Sequence, residues 1–553
     1  MSEAVFQPVE NEAHAAEARY AIEQSLSADD AEATPRRELW TPRRELWIDD
    51  QHVGTLARDA FAFTVEWGKL IFSWWDETHA QNWRVTSYAR SAGEIRLRAT
   101  RGWGHALTTL VLRDQAVWQA AQAQTNLPLT AKRLAYAEAL PLWLTRHFPT
   151  ARIERVMSGK RRQRLWAIGY TKIRLRLGAE RVFAIGVSAD EEQSTIDGII
   201  AAGLAWLAES NVAHQPVERA QRLIFCVPEQ RATAILERLT FLTAKHYGAR
   251  LECFTVNHAT GELTPVTLAT QPELLNTHTP ALQWPEAVEL TAPQRRWVER
   301  IASLAANIIE MRASTTAQGR ARLLWHGLEF ARVNATGRAE FGIAGITGYE
   351  RQPLTEQTFA ALQALVAELA AQRRAQPADR RHPLYRLRPE AWLESCLRRN
   401  IAALNGFIGA AFDERFVYSQ IPAWQAESRS VLDLLTVTRA GRLAIIEVKE
   451  SEDGQLPLQG LDYWCRIEQA RLRGEFAAHG LFPDVELTDE SPLLFLVAPR
   501  LRFHRSFVAV AKCLSSEIET FRIGLNTNWR DGIRVYSFDC AQAIKIDYET
   551  EEN

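Results

Sequence analysis

One short stretch of the chain constrains its fold more than any other. It reads SVLDLLTVTRAGRLAIIEVK over residues 430–449. An apolar strand that carries Asp433 leads through an Ala-Gly turn into a second apolar strand, which ends at Glu447 and Lys449. Side chains alternate along a strand, so Glu447 and Lys449 share one face, whereas apolar residues on both faces are typical of a central strand. The stretch therefore predicts a small sheet with two carboxylates and one ammonium at its edge.

A helix is predicted to begin near Pro457, shortly after this strand. A spacing of four residues puts Gln459 and Tyr463 on the same helix face. Two carboxylates with polar neighbours can hold a hard divalent metal, which prefers oxygen ligands and activates a water. The plainer alternative is a surface ion pair between Glu447 and Lys449, worth about 0–1 kcal/mol, with two ordinary helix-surface residues beside it.

Lysine is scarce in this chain, because only eight of its 65 basic residues are lysines. A cation with a purely structural role would more often be an arginine here. Lysine differs from arginine in being a compact charge whose pKa shifts readily on burial. Lys449 therefore indicates a site that needs such a cation beside a water.

Length and composition describe an ordinary globular protein of several domains. The chain has 553 residues, of which 46% are hydrophobic and 24% charged, and its net charge is −2. Near-neutrality excludes electrostatic binding of nucleic acid by the whole molecule, so any basic surface must be regional. Six separated cysteines without a CxxC pair argue against zinc ribbons and disulfide scaffolds. Since the sequence lacks a signal peptide and an apolar span, we predict a cytoplasmic protein without membrane contact.

The pattern along the chain predicts a multidomain protein of mixed α/β and α+β class. The middle α/β segment carries no Gly-rich phosphate fingerprint, so no nucleotide site is predicted there. The predicted segments are a flexible tail with a tandem TPRRELW (1–47), a small antiparallel β sheet plus helices (48–149), an α/β domain (150–290), helices and a β-hairpin (291–372), an Arg/Pro-rich linker (373–386) and a last domain in α-β-β-β-α-β order (387–553).

The residues of the last domain resemble a known family. Asp433, then Glu447-Val448-Lys449, in this order of elements, resemble the PD-(D/E)xK nuclease superfamily, whose fold is restriction-endonuclease-like. The Q-x-x-x-Y pattern on the next helix is similar to the RecB-like branch. The resemblance covers about residues 387–500 only. It departs from the family name in one place, because no proline precedes Asp433.

The resemblance implies a Mg²⁺-dependent (or Mn²⁺-dependent) phosphodiesterase that acts on nucleic acid, with DNA favoured over RNA. It implies that Asp433, Glu447 and the Val448 backbone carbonyl bind the metal. It further implies that Lys449 orients or deprotonates the attacking water and stabilises charge on phosphorus.

The resemblance also gives roles to residues outside the two strands. Gln459 and Tyr463 would brace the site or contact the substrate backbone. Glu394, on the helix that opens the domain, is a candidate extra acid, and Glu390 competes with it for that place.

Of three basic segments in the sequence, two are the main candidates for nucleic-acid contact. Between Arg146 and Arg181, eleven basic residues stand against two acidic ones, with aromatic residues between them. The predicted linker is the second segment. A solvated charged face is the alternative for both. The residues singled out are Lys160, Arg161, Arg162, Arg164, Trp166, Arg380 and Arg381.

Three functions are compatible with these patterns. The first is a metal-dependent nuclease in which the N-terminal regions position the substrate. The alternative is a catalytically inactive nucleic-acid-binding or scaffold protein that keeps the nuclease-like fold. A third makes residues 150–270 a regulatory ligand module. The sequence leaves open endo- or exonuclease action, sequence specificity, pathway and oligomeric state.

Overall fold

The chain is a mixed α/β protein with several sheets. A computed structural model describes residues 6–33, 43–49, 51–57, 60–66, 68–75, 80–91, 94–101, 107–114, 128–158, 169–213, 219–258, 260–277, 282, 284, 290–313, 320–407, 411–425 and 428–544. The chain folds into two compact units. The first contains residues 1–128, 288–324 and 329–365, and the second contains residues 129–287, 325–328 and 366–553. Among the helices described in these ranges, none is long and apolar enough to cross a membrane.

The first unit contains an antiparallel sheet of eight strands, in the order β3-β2-β8-β7-β6-β5-β4 with β1 paired to β6. Side chains along β5 alternate between buried and half-buried, as a sheet with one face on the core requires. The strands are β1 (Gln7–Pro8), β2 (Arg43–Ile48), β3 (Gln51–Ala57), β4 (Phe61–Glu66), β5 (Lys69–Trp75), β6 (Ala80–Ser91), β7 (Glu94–Arg101) and β8 (Leu107–Asp114).

The predicted flexible tail is wrong for the described residues. Helix α1 (Glu12–Ala33) packs on this sheet, and Ala15, Ala18, Ile22 and Leu26 are buried in the shared core. These residues recur at helical spacing, but the two alanines carry no strong apolar signal in the sequence. The second copy of the heptapeptide supplies the start of β2, whereas the first copy lies outside the described residues.

A six-stranded sheet opens the second unit, in the order β14-β13-β12-β11-β10-β9. Strands β11, β12 and β13 are parallel, and the other neighbours are antiparallel. Its strands are β9 (Ala151–Ser158), β10 (Tyr170–Leu177), β11 (Glu180–Val187), β12 (Arg222–Pro228), β13 (Arg250–Asn257) and β14 (Glu262–Pro265).

Helices cover both faces of this sheet. They are α2 (Leu129–His147), α3 (Gln193–Asp197), α4 (Ile199–Ala213), α5 (Thr233–Thr240) and α6 (Gln271–Leu275). Tyr136, Leu140 and Leu144 of α2 lie in the core of this sheet. The predicted boundary at residue 149 is therefore about twenty residues too late. The helix predicted near 114–123 lies outside the described residues, apart from its first residue.

A five-stranded sheet contains the single hairpin predicted over 291–372 and extends it on both sides. Its order is β15-β16-β17-β18-β19. The predicted hairpin is present where β17 pairs antiparallel with β18 around Asn334–Gly337. The other short strands, β15 and β19, are too brief to leave a signal in the sequence. The elements are α7 (Ala292–Ala302), β15 (Ile309–Ala313), β16 (Ala321–Trp325), β17 (Leu328–Val333), β18 (Ala339–Phe341), β19 (Gln352–Leu354) and α8 (Phe359–Gln372).

The C-terminal part of the second unit forms another six-stranded sheet, in the order β20-β21-β22-β23-β24-β25. Helix α10 covers one face of the sheet and α11 the other. The elements are α9 (Pro383–Arg386), α10 (Pro389–Arg399), β20 (Phe412–Gln425), β21 (Ser428–Thr438), β22 (Leu443–Val448), α11 (Leu456–Leu472), α12 (Glu475–Ala478), β23 (Leu493–Pro499), α13 (Phe507–Ala511), β24 (Thr520–Leu525) and β25 (Val535–Cys540).

The segment predicted as an Arg/Pro-rich linker is ordered around one buried arginine. The Arg373 side chain is fully buried, and its guanidinium lies 4.6 Å from the centre of the Trp392 ring. Its N–H groups donate to backbone carbonyl oxygens at 2.7–3.3 Å, and these belong to Leu384, Leu387, His326 and Arg388. The linker prediction is therefore wrong at Arg373, since a charge that looked solvated instead fixes the path of the chain into α10.

Replacing Arg373 by alanine is expected to lower the free energy of unfolding by about 3 kcal/mol, because buried carbonyl groups lose their donors. Arg374→Ala is the matched control, since that side chain is exposed, and its effect should stay within about 0.5 kcal/mol. Chemical denaturation of both variants measures the difference. Equal effects would contradict the role given to Arg373.

Candidate active site

Asp433 lies where two neighbouring strands diverge. Regular pairing of β21 with β22 reaches Leu434 and Ile446 and goes no further. Beyond that point the Val448 N–H donates a 2.9 Å hydrogen bond to Oδ2 of Asp433. The carboxylate thus replaces a backbone acceptor that the neighbouring strand no longer offers. This bond holds Asp433 beside the end of β22 in a buried position, where only 8% of the residue is accessible.

Glu447 and Lys449 follow at the end of β22, which is the central strand predicted from its apolar residues. Glu447 is 2% exposed. Lys449 Nζ donates to Glu447 Oε1 at 3.2 Å and to Glu390 Oε1 at 2.9 Å. The Lys449 N–H also continues the ladder to Val497 O, so the lysine is anchored at both ends. The surface ion pair considered above does not describe this buried arrangement.

The electrostatics of the cluster are unbalanced toward negative charge. Burial raises the pKa of Glu447 well above its usual range, and the neighbouring Asp433 raises it further. Burial also raises the pKa of Asp433, against the opposing effect of Lys449. Glu447 Oε2 is buried and has no hydrogen-bond partner among the described residues. Two adjacent buried carboxyl groups with an open acceptor atom form a set that an added cation would stabilise.

Lys449 remains an ammonium in this environment. Burial by itself would lower its pKa, but Glu447, Glu390 and Asp433 raise that pKa well above the usual range. The charged group has protons to donate and no lone pair to accept one. This state fits the role of orienting a water that the resemblance implies.

Helix α11 carries two further predicted residues, Tyr463 and Gln459. Tyr463 is 7% exposed, and its pKa is raised first by burial and then by the charges of Glu447 and Asp433, which places it close to both. Gln459 is half-buried, and its Oε1 has no partner among the described residues. Gly460 lets this helix approach β23, because a Cβ there would meet Leu496 at 2.6 Å.

The two glutamates of α10 divide the roles that the sequence left open. Glu390 contacts Lys449 directly. Glu394 is 1% exposed and accepts a 2.9 Å hydrogen bond from Gln420 Nε2. Gln420 lies on β20 across from Asp433, between the residues that pair with β21 on either side. Glu394 therefore contacts the residue opposite Asp433, whereas Glu390 contacts Lys449.

A cavity of about 370 Å³ lies at the same edge of the sheet, beyond the C-terminal ends of β23 and β24. Two arginines, Arg500 and Arg534, line it together with two amide side chains, Asn526 and Asn528, and the carboxylate of Asp531. Leu501 is 74% exposed and Tyr536 is 60% exposed on its wall. Sequence reasoning missed this set, because its members come from separate elements and form no local charge run.

The predicted nucleic-acid-binding residues have different outcomes. Arg380 and Arg381 are exposed. Arg380 is near Arg530, whose pKa is lowered by burial and, to a smaller extent, by Arg380. Arg530 Nη2 lies 3.8 Å from Glu450 Oε1, next to Lys449 in the chain. The other predicted residues lie outside the described part of the chain: Lys160, Arg161, Arg162, Arg164 and Trp166.

Comparison of the chain with family models, with curated proteins and with solved structures gave no match. Within the described ranges, no three His, Cys, Asp or Glu side chains are grouped so that they could hold a metal. The candidate set is smaller, with the two carboxylates of Asp433 and Glu447 and the backbone carbonyl of Val448.

The repulsion between the two carboxyl groups predicts that Glu447→Gln stabilises the protein when divalent ions are removed. The folded-state pKa of Glu447 is raised, so its contribution to stability is lost as the pH rises through that pKa. The variant should gain about 1–2 kcal/mol in unfolding free energy at pH 8 and lose this pH dependence.

Denaturation in EDTA at several pH values measures this effect. Glu517→Gln, an exposed carboxylate in the same domain, is the control and should change stability by less than about 0.5 kcal/mol. A clear destabilisation by Glu447→Gln would contradict the electrostatic description of the cluster.

Proposed function

We propose that this protein is a metal-dependent nuclease of the PD-(D/E)xK superfamily, with its active centre in the C-terminal domain. The observation that carries the proposal is the pair of buried carboxylates, Asp433 and Glu447, beside the buried ammonium of Lys449 at the end of a central strand. The order α10-β20-β21-β22-α11-β23 supports a restriction-endonuclease-like domain.

Asp433, Glu447 and the Val448 carbonyl would hold Mg²⁺ or Mn²⁺. Oxygen donors are what these cations prefer, and the buried Oε2 of Glu447 has no other partner in the described structure. When bound, such a cation supplies Lewis-acid stabilisation and lowers the pKa of a water.

The protein's own groups then position the reacting atoms. Lys449, held by Glu390 and Glu447, presents N–H donors to the attacking water or to a phosphate oxygen and stabilises the charge that develops on phosphorus. Tyr463 and Gln459, both on α11, would restrict the movement of the Lys449 side chain and of the bound substrate. Such fixed donors need no reorganisation as charge develops, which is the main source of their effect.

The cavity beyond β23 and β24 would receive the substrate backbone. Arg500 and Arg534 offer charge to phosphates, and the exposed Tyr536 offers a ring on which a base can stack. The exposed pair Arg380 and Arg381 would extend this surface. DNA stays the favoured substrate, and the cytoplasmic location and the positioning role of the N-terminal regions stay predictions.

Cleavage assays test the proposal directly. The chain is incubated with single-stranded and duplex DNA and RNA, with Mg²⁺, Mn²⁺ or EDTA. Asp433→Asn is expected to abolish cleavage, and Lys449→Met to slow it by at least about 100-fold. Glu517→Gln is the control and should cleave like the wild type.

Two results would contradict the proposal. Cleavage that persists in EDTA, or in Asp433→Asn, would place the chemistry elsewhere. Binding of nucleic acid without cleavage under any condition would favour the inactive binding or scaffold protein.

Charge reversal on the cavity wall is expected to weaken nucleic-acid binding. The double variant Arg500→Glu, Arg534→Glu removes two cations that would neutralise phosphates, so the slope of log affinity against log salt should become shallower by about 1 per phosphate released. Fluorescence anisotropy over a salt series measures that slope. Arg473→Glu, a partly exposed arginine on the turn after α11, is the control, and an equal effect there would remove the cavity from the binding surface.

A further inference from the structure

The two six-stranded sheets of the second unit have the same topology. In each, the order along the chain equals the order in the sheet. Read from β9 and from β20, successive pairs are antiparallel, antiparallel, parallel, parallel and antiparallel in both sheets. Each is preceded by a helix, α2 or α10, and has its main helices at the same two crossovers. Identical connectivity over six strands makes them two copies of one fold.

Strand register aligns the two copies residue by residue. Strand β12 ends at Pro228 and β23 at Pro499, and a 3-10 helix follows each proline. Counting back from these prolines equates Phe225 with Leu496. Ile185 pairs with Phe225 on β11, and Glu447 pairs with Leu496 on β22. Ile185 therefore occupies the position of Glu447.

The helix after the third strand supports this alignment independently. A Cβ on Gly203 of α4 would meet the Phe225 side chain at 2.7 Å, and one on Gly460 of α11 would meet Leu496 at 2.6 Å. Each helix thus uses a glycine to approach the equivalent strand residue. The match places Trp206 of α4 where α11 has Tyr463.

The copies also contact each other reciprocally. Helix α4 of the first copy packs on α13 of the second, and α11 of the second packs on α5 of the first. Because α4 matches α11 and α5 matches α13, the two contacts are equivalent. The segments after α5 and α13 meet in an antiparallel bridge between Leu242 and Leu514. Thr243 N–H donates to Cys513 O at 2.7 Å, and Ser515 N–H donates to Phe241 O at 2.8 Å. Such mutual contacts are the mark of a two-fold interface, here built within one chain.

The first copy lacks the groups that form the candidate site. Ile185 stands in the place of Glu447, and Val187 in the place of Lys449, two residues further on. Lys172, opposite Ile185 on β10, stands in the place of Asp433, and its Nζ lies 5.4 Å from the centre of the Trp206 ring. A cation and two apolar side chains cannot hold a divalent metal.

We infer that residues 129–275 are a second, inactive copy of the nuclease-like domain, so that one chain contains two paired domains and one active centre. This centre cuts duplex DNA one strand at a time. This inference rests on the proposed function. A two-fold pair matches the two-fold symmetry of duplex DNA, whose strands run antiparallel, so two equipped centres would face both strands. With only one copy equipped, each encounter breaks one phosphodiester bond, and pairing with a second chain is unnecessary.

The test uses the full chain, supercoiled plasmid DNA and Mg²⁺ or Mn²⁺. Nicked circles should accumulate first, and linear DNA should appear later from independent second encounters. Lys172→Gln, at the position that matches Asp433, should keep the cleavage rate within about twofold, whereas Asp433→Asn loses it. Mixing wild type with an about tenfold excess of Asp433→Asn, at excess DNA, should leave the rate per active chain unchanged.

The outcomes separate this inference from the proposed function. Direct conversion of supercoiled to linear DNA, or a lower rate per active chain in the mixture, would overturn the inference and leave nuclease activity standing. Cleavage confined to single strands would likewise overturn the duplex assignment. Absence of cleavage on every substrate would end the proposed function and the inference with it.

Discussion

The hydrogen bond from the Val448 N–H to Asp433 is the constraint on which the candidate site depends. It forms where β21 and β22 stop pairing, so the Asp433 carboxylate accepts the hydrogen bond that a backbone carbonyl of β21 would otherwise accept. The same bond fixes Asp433 next to Glu447 in a buried environment, where two carboxyl groups repel each other. Lys449, held in place by Glu390, offsets part of that cost, and the proposed metal would offset the rest.

The duplicated fold shows what this arrangement requires beyond a sheet and a helix. Both copies keep the strand order, the glycine that brings the helix onto the sheet and the mutual bridge. Only one copy has carboxylates at the positions of Asp433 and Glu447. In the other, Ile185 and Val187 join the apolar core, which carries no desolvation penalty. The copy at residues 129–275 thus contributes packing, while the cost of burying carboxylates is concentrated in the other copy.

The sequence could predict the residues of the site where local periodicity places them. Asp433, Glu447 and Lys449 follow from strand alternation, and Gln459 and Tyr463 from helix spacing. It could not separate Glu390 from Glu394, because both lie on one face of α10 and only the tertiary contact of Lys449 decides. Nor could it foresee α1, whose buried face relies on alanines, or the duplication, because the copies share an apolar pattern but few polar identities.

The central claim is that Asp433 and Glu447 form a cation site, and titration of the metal-free chain with Mn²⁺ tests it most directly. Calorimetry or electron paramagnetic resonance follows the binding without requiring any substrate. We predict saturable binding that Asp433→Asn abolishes and that Lys172→Gln leaves intact. Absence of binding to the wild type, or equal binding to Asp433→Asn, would contradict this claim.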